Sequence, residues 1–167
     1  MTQNICPKIS VIIPTLNGEK SLPEFFAALK MQDMGVDEIL VGDSESTDRT
    51  VEICSENGAE ILTVPRGDFD HGGTRKMLGE HSKGDILVFF TQDAILSTKD
   101  SLKKLVSPLL EDSSLACSYG RQLPSPGASL LAAHLRHFNY PAVSELRSFE
   151  DKDKLGLKTI FISNSFA

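Results

Sequence analysis

Two hydrophobic rhythms alternate along the first 120 residues. Short, continuous apolar runs rich in β-branched residues occur at Ile9–Pro14, Glu38–Gly42, Ile61–Val64 and Ile86–Phe90. Runs of this kind read as strands buried on both faces of a parallel sheet. Between them, apolar residues recur at helical spacing, as Leu22, Phe25, Phe26 and Leu29 do. Helices are predicted from a capping box at Ser21–Glu24, from Ser46 or Thr47 to Glu56, over Thr74–His81, and from Ser97 or Thr98 to about Leu110. A fifth strand at Leu115–Tyr119, a helix at Ser129–Phe138 and a last strand at Thr159–Ser163 complete the pattern. The Pro-, Ser- and Gly-rich stretch from Arg121 to Ala128 reads as an internal boundary.

Strands alternating with helices predict an α/β fold with a mainly parallel sheet covered on both faces. Such sheets bind ligands beyond the carboxyl ends of their strands, near the point where strand order reverses. All four predicted strand ends carry polar groups. Thr15 and Asn17 follow the first, Asp43, Ser44 and Glu45 the second, Arg66 the third, and Thr91, Gln92 and Asp93 the fourth. Each has an ordinary reading: a turn at Asn17–Gly18, backbone hydrogen bonding by Asp43, a solvated Arg66, and an Asx turn or helix cap at Asp93. Their convergence on one sheet edge favours a ligand site. A carboxylate such as Asp43 suits the imide N–H of uracil or thymine. Arg66 and Arg75 suit a diphosphate, and Gln92 joins the nucleotide-binding candidates. Asp93 suits a hard divalent cation, Mg²⁺ or Mn²⁺. Backbone N–H groups at Gly72, Gly73 and Thr74 are a weaker anion site, and His71 reads first as a loop hydrogen-bonding residue.

Composition narrows the classes. The chain has 167 residues, enough for one domain with a sizeable core. Its net charge of −6 argues against a nucleic-acid partner. No apolar run is long enough to cross a bilayer, and Met1–Lys8 lacks the apolar core of a secretory signal. Three scattered cysteines, Cys6, Cys54 and Cys117, fit reduced thiols in the cytosol. His81, His134 and His137 form no metal-ligand pattern with His71. There is no GxGxxG after the first strand, no GxxxxGK[ST] and no GxSxG. Pro14 and Thr15 stand where a phosphoacceptor domain would need an acidic pair. A nucleotide-sugar transferase is the enzyme class left.

Five stretches, in this order, carry a resemblance: SVIIPTLN, VGDSESTDRT, FDHGGTRK, KGDILVFFTQDA and YGRQLP. Together they resemble the inverting family 2 glycosyltransferases, and within them the rhamnosyltransferase-like branch, from about Ile9 to Ala167. The resemblance implies a GT-A type αβα fold: residues 1–125 as the nucleotide-sugar-binding half and 126–167 as the start of an acceptor-binding half. It implies transfer of a sugar, with rhamnose the candidate, from a UDP- or dTDP-sugar to a saccharide or lipid-linked acceptor, with inversion. By that match Thr15, Asn17 and Asp43 face the nucleoside, and Arg75 lies near the diphosphate. Asp93 falls on the second aspartate of the family's DxD metal motif, with Thr91 replacing the first. Glu45 stands where glycine is common, and Lys76 where asparagine is usual.

The resemblance places the catalytic base beyond Ala167, so this chain is expected to bind the donor more than to turn it over. Glu145, Glu150, Asp151 and Asp153 read as a solvated charged stretch. The expected location is cytoplasmic, with peripheral contact at the membrane's inner face if the acceptor is lipid-linked. Two competing expectations are a non-catalytic nucleotide-sugar-binding module and, less well matched by TLNGEK after the first strand, a nucleotidyltransferase.

Overall fold

The computed structural model describes residues 7–125, 127–160, 162–163 and 165–167; the Cys6 expectation lies outside them. Two compact units form, Met1–Ser118 with Asn164–Ala167, and Tyr119–Ser163. The first unit is built on four strands, β1 (Ile9–Thr15), β2 (Glu38–Asp43), β3 (Glu60–Thr63) and β4 (Ile86–Phe89). They pair in parallel in the order β3-β2-β1-β4. Thr15 stands opposite Asp43, and Asp43 opposite Thr63, so three strands end in register at one edge. The chain leaves β1 toward β2 on one side and reaches β4 on the other. The order therefore reverses at β1, and a crevice opens above its carboxyl end.

Alternation along the strands sorts the core into two layers. Ile9, Val11, Ile13, Val41, Val88 and Phe90 pack against α1 (Leu22–Lys30), α2 (Thr50–Glu56) and α4 (Ser101–Glu111). Ile12 and Leu40 face the other way, onto Leu78 of α3 (His71–His81). The predicted face of α1 is buried throughout, and Phe25 meets Phe26 and Phe90 edge-on at 5.3 and 5.2 Å. Each such side chain contributes about 1.5–3 kcal/mol by burial. Gly42 of β2 lets α3 lie close: a Cβ there would stand 3.0 Å from Leu78 and 3.2 Å from Thr74. Arg75, next to Thr74, is carried to the sheet edge by this packing.

Several helix starts differ from the sequence prediction, each because a side chain is engaged elsewhere. The Ser21 hydroxyl donates to the Gly18 carbonyl at 3.3 Å instead of capping α1, so the capping box does not form. Ser46 and Thr47 bond into the preceding loops, and α2 begins only at Thr50. α3 begins earlier than predicted, at His71, because the Asp70 carboxylate accepts from the Gly73 N–H. Thr98 donates to Asp100 at 2.6 Å, closing a turn, and α4 starts at Ser101.

Two predicted strands are absent among the described residues. Leu115–Tyr119 is irregular, with Ala116 and Cys117 exposed, because no neighbouring strand supplies a ladder. In place of a strand at Thr159–Ser163, a 3₁₀ turn covers Gly156–Thr159; Phe161 lies outside the described residues. The chain instead returns to the β4 edge a few residues later. Phe89 and Ala167 exchange backbone hydrogen bonds at 2.7 and 3.1 Å, and Phe166 stacks on Phe90 at 4.8 Å.

The second unit holds α5 (Leu130–Asn139), capped by Ser129, and the short α6 (Lys152–Leu155). Its α5 buries no residue. No helix among the described residues is long and apolar enough to cross a membrane.

Gly84 precedes β4 in contact with β1: a Cβ there would stand 2.8 Å from the Ser10 backbone nitrogen. Gly84→Ala is expected to cost about 1–3 kcal/mol, because backbone cannot yield as a side-chain tip can. Chemical denaturation checks this; an unchanged midpoint would contradict the close approach.

Candidate nucleotide-binding site

The loops after β1 and β2 are laced into one unit. Asp43 is buried at the end of β2, 4% exposed. Its carboxylate accepts from Thr15 Oγ1 at 3.0 Å, Ser46 Oγ at 2.6 Å and the Ser46 N–H at 2.9 Å. Burial pushes the nearby Cys54 thiol up to about 11, and the Asp43 charge adds to that rise. Asn17 bridges the same loops: its side-chain oxygen accepts from the Thr47 N–H at 2.9 Å, and its own N–H donates to Ser46 Oγ at 2.9 Å. A third tie runs through Thr50, which accepts from the Gly18 N–H at 2.7 Å and donates to Asp48. Hydrogen bonds from Thr50 hold the Asp48 carboxyl below the usual carboxylate range.

Two residues of these loops adopt left-handed backbone, Asn17 at φ 48° and Glu45 at φ 56°. Asparagine tolerates this conformation, whereas glutamate pays about 1–2 kcal/mol for it. Arg66 secures Glu45: its Nε donates to the Ser44 carbonyl at 3.2 Å and its Nη2 to the Glu45 carbonyl at 3.1 Å. The Arg66 guanidinium thus clamps a loop.

Beyond these loops opens a pocket of about 370 Å³ at the carboxyl ends of β1, β2 and β4. Thr15 and Leu16 supply its floor, Ser44 one wall, and Thr91 with Gln92 the opposite wall. Phe69, His71 and Arg75 close it from the α3 side. Arg75 is half-buried, and burial lowers the pKa of its guanidinium. It remains a cation at neutral pH, with less water around it to share its charge. Its Nη1 donates to the His71 carbonyl at 3.2 Å and lies 3.3 Å from His71 Nδ1. Because arginine only donates, the Nδ1 contact is a hydrogen bond only in the tautomer that leaves Nδ1 unprotonated. The His71 ring stands edge-on to Phe69 at 4.9 Å.

At the β4 end the groups diverge in role. Gln92 binds both backbone groups of Leu16, accepting from its N–H at 2.9 Å and donating to its carbonyl at 3.1 Å. Its amide extends the sheet by a side-chain rung. Asp93 sits in the turn closed by the Ala94 N–H and the Thr91 carbonyl at 3.0 Å. Its carboxylate is exposed and makes no hydrogen bond among the described residues. It caps no helix, since Asp100 holds that place before α4. No cluster of three or more His, Cys, Asp or Glu side chains occurs among the described residues. A divalent cation at Asp93 therefore fits only as one shared with ligand oxygens and water.

The α3 N-terminus is less available than the glycines imply. Asp70 takes the Gly73 N–H with its side chain and the Thr74 N–H with its carbonyl. In the second unit Glu145 pairs with Arg147 at 3.0 Å, and Asp151 accepts from the Ser148 N–H at 2.8 Å. Sequence reasoning named Ser44 and Thr91 only as polar residues at strand ends and gave them no ligand role: both hydroxyls are buried without a hydrogen-bond partner among the described residues, and both residues line the pocket. Their position just past the strand ends was the available signal.

Comparison with known proteins follows the same lines. A family model described as glycosyl transferase family 2 matches residues 10–167. An O-antigen chain rhamnosyltransferase of Salmonella typhimurium is 43% identical over 162 residues, which are 96% of this chain and 51% of that protein. The chain thus spans about half the length of the curated relatives it matches. A mannosyltransferase from Pyrobaculum calidifontis, solved in complex with GDP-Man and Mn²⁺, aligns with TM-score 0.53 and 25% identity over 62% of this chain and 32% of its own. Glucosyl-3-phosphoglycerate synthase from Mycobacterium tuberculosis, solved with UDP, aligns with TM-score 0.51 and 30% identity over 64% of this chain and 41% of its own.

Asp43→Asn tests the lacing of the loops. An amide nitrogen in place of Oδ2 would face the Ser46 N–H donor against donor, and in place of Oδ1 it would oblige the Thr15 and Ser46 hydroxyls to reverse from donating to accepting, in a buried site. A loss of about 1–3 kcal/mol in stability is expected. A variant as stable as the parent would show that Asp43 is not the anchor.

Proposed function

The chain belongs to glycosyl transferase family 2, and from that membership and the pocket's make-up we propose that it holds the nucleoside diphosphate of a sugar donor. The observation that carries the reading is Arg75, a half-buried cation at the wall of a pocket above the sheet's reversal point. A guanidinium stripped of part of its water gains more from a diphosphate than an exposed one does. UDP and dTDP are the proposed nucleotides, and the Mycobacterium tuberculosis relative was solved with UDP. The loops tied by Thr15, Asn17 and Asp43 hold the nucleoside end, with Arg66 acting on them from below.

Asp93 is the proposed metal ligand. Its free, exposed carboxylate fits a Mg²⁺ or Mn²⁺ ion that the donor's diphosphate also grips, and the Pyrobaculum relative was solved with Mn²⁺. Such an ion, when bound, would supply positive charge to the departing diphosphate. Gln92 keeps Leu16 in place beneath the ligand, and Arg75 orients the diphosphate. In the whole protein the proposed reaction passes a sugar, rhamnose by likeness to the Salmonella enzyme, to a saccharide or lipid-linked acceptor with inversion. The protein would then work on the cytoplasmic side of a membrane, in surface-polysaccharide synthesis.

Calorimetric titration with UDP or dTDP tests this, with and without Mn²⁺. Binding is expected to strengthen with the metal. Asp93→Ala is expected to erase the metal-dependent gain and to leave thermal stability unchanged. Arg75→Ala is expected to weaken binding about 10–100-fold, the cost of one charge-assisted contact. Binding by Asp93→Ala that still responds to Mn²⁺ as the parent does would remove the metal assignment. Absence of any nucleotide binding by the parent would remove the donor site.

A further inference from the structure

A long arginine side chain is flexible, and a binding event that has to order it loses affinity. Arg75 lines the pocket and is partly buried. His71, one helical turn before it, lines the pocket too, with an exposed ring. Two acceptors of His71 meet the guanidinium at one nitrogen. Arg75 Nη1 donates to the His71 carbonyl at 3.2 Å and lies 3.3 Å from Nδ1. Residues four apart are neighbours on a helix surface, so the pairing is built into the register of α3.

His71 is itself held from behind. Its ring stands edge-on to Phe69, with centroids 4.9 Å apart. Phe69 follows the 3₁₀ turn Arg66–Asp68, and its N–H donates to the Arg66 carbonyl at 3.4 Å. The Arg66 side chain grips the Ser44 and Glu45 carbonyls. On the other side, the Asp70 carbonyl accepts from the Thr74 N–H at 2.8 Å and sets the first turn of α3. His71 therefore stands between an anchored loop and the Arg75 cation. In the tautomer that accepts at Nδ1, the imidazole is neutral and Nε2 carries its hydrogen. It can orient the cation without competing with it for an anion.

We propose that His71 is a positioning residue of the donor pocket, whose Nδ1 holds the Arg75 guanidinium at the pocket wall, oriented in advance for the diphosphate. This rests on the donor-pocket reading above. The His71 carbonyl survives any substitution, so the ring is the part that a variant tests.

The experiment is calorimetric titration of UDP, in Mn²⁺ and at raised protein concentration, with thermal unfolding of each protein. The proteins are the parent, His71→Ala, His71→Asn, Arg75→Ala and the variant carrying both His71→Ala and Arg75→Ala. An asparagine side chain sets an acceptor oxygen near the place of Nδ1. His71→Ala is expected to lose about three- to tenfold in UDP affinity, the size of one hydrogen bond. His71→Asn is expected to stay within about twofold of the parent. In the Arg75→Ala background, His71→Ala is expected to change affinity by less than about twofold, because no guanidinium is left to position. His71→Ala binding as the parent does would overturn the inference and leave the donor pocket standing. So would a loss that His71→Asn fails to recover. An equal loss with and without Arg75 would also overturn it: His71 would then touch the nucleotide itself or, if the unfolding midpoint falls as well, support the fold. A parent that binds no UDP overturns both the donor reading and this inference.

Discussion

Burying a carboxylate at a strand end obliges the protein to provide its hydrogen bonds, since water cannot. Asp43 meets that demand by drawing Thr15 from β1 and Ser46 from its own following loop. Everything above the sheet edge inherits the constraint. Ser46, so fixed, receives the Asn17 N–H; Asn17 in turn receives Thr47. Glu45 is forced into left-handed backbone in passing, and Arg66 holds it there. The two loops cannot move separately, so the ground on which a nucleoside would rest is preorganised at the cost of local strain.

The opposite wall follows another logic. α3 packs close to β2 because Gly42 carries no side chain to obstruct Thr74 and Leu78. Arg75 is thereby half-buried next to His71, and its guanidinium, partly desolvated, lines the pocket. At the end of β4, Gln92 ties Leu16 in place, while Asp93 is left exposed, with no hydrogen bond to its carboxylate among the described residues. Arg75 thus lines the crevice, and Asp93, the residue after Gln92 of the opposite wall, carries a carboxylate with no hydrogen bond among the described residues; the pair is what the proposed diphosphate and its counter-ion would use.

The strands and most helices were legible because their signals are local. The apolar runs of β1 to β4 and the face of α1 depend on spacing alone, whereas the strand order, and with it the reversal at β1, is set by pairing between distant segments. Thr15, Asp43 and Arg75 could be nominated because strand ends in such sheets carry chemistry. What each side chain does there was not legible. Whether Gln92 meets a ligand or Leu16, and whether Arg66 faces an anion or two carbonyls, depends on loops 21 to 76 residues apart in sequence. The helix starts failed for the same reason: Ser46, Thr47 and Thr98 suit caps, but closer partners took them. The apolar stretch at Thr159–Ser163 looked like a strand, yet a strand exists only where a neighbour completes its ladder, and Ser165–Ala167 occupy the β4 edge. The Glu45 departure from glycine was visible in sequence; its positive φ supplies the physical reason.

The central claim is that one crevice above β1 holds a nucleoside diphosphate between Arg75 and a metal at Asp93, over loops that Asp43 keeps rigid. A crystal structure of the chain with UDP and Mn²⁺ tests it most directly. The account predicts a diphosphate against the Arg75 guanidinium, Mn²⁺ between it and Asp93, and Asp43 still bonded to Thr15 and Ser46. A nucleotide bound elsewhere, or Asp43 released from its partners to grip the base, would contradict it.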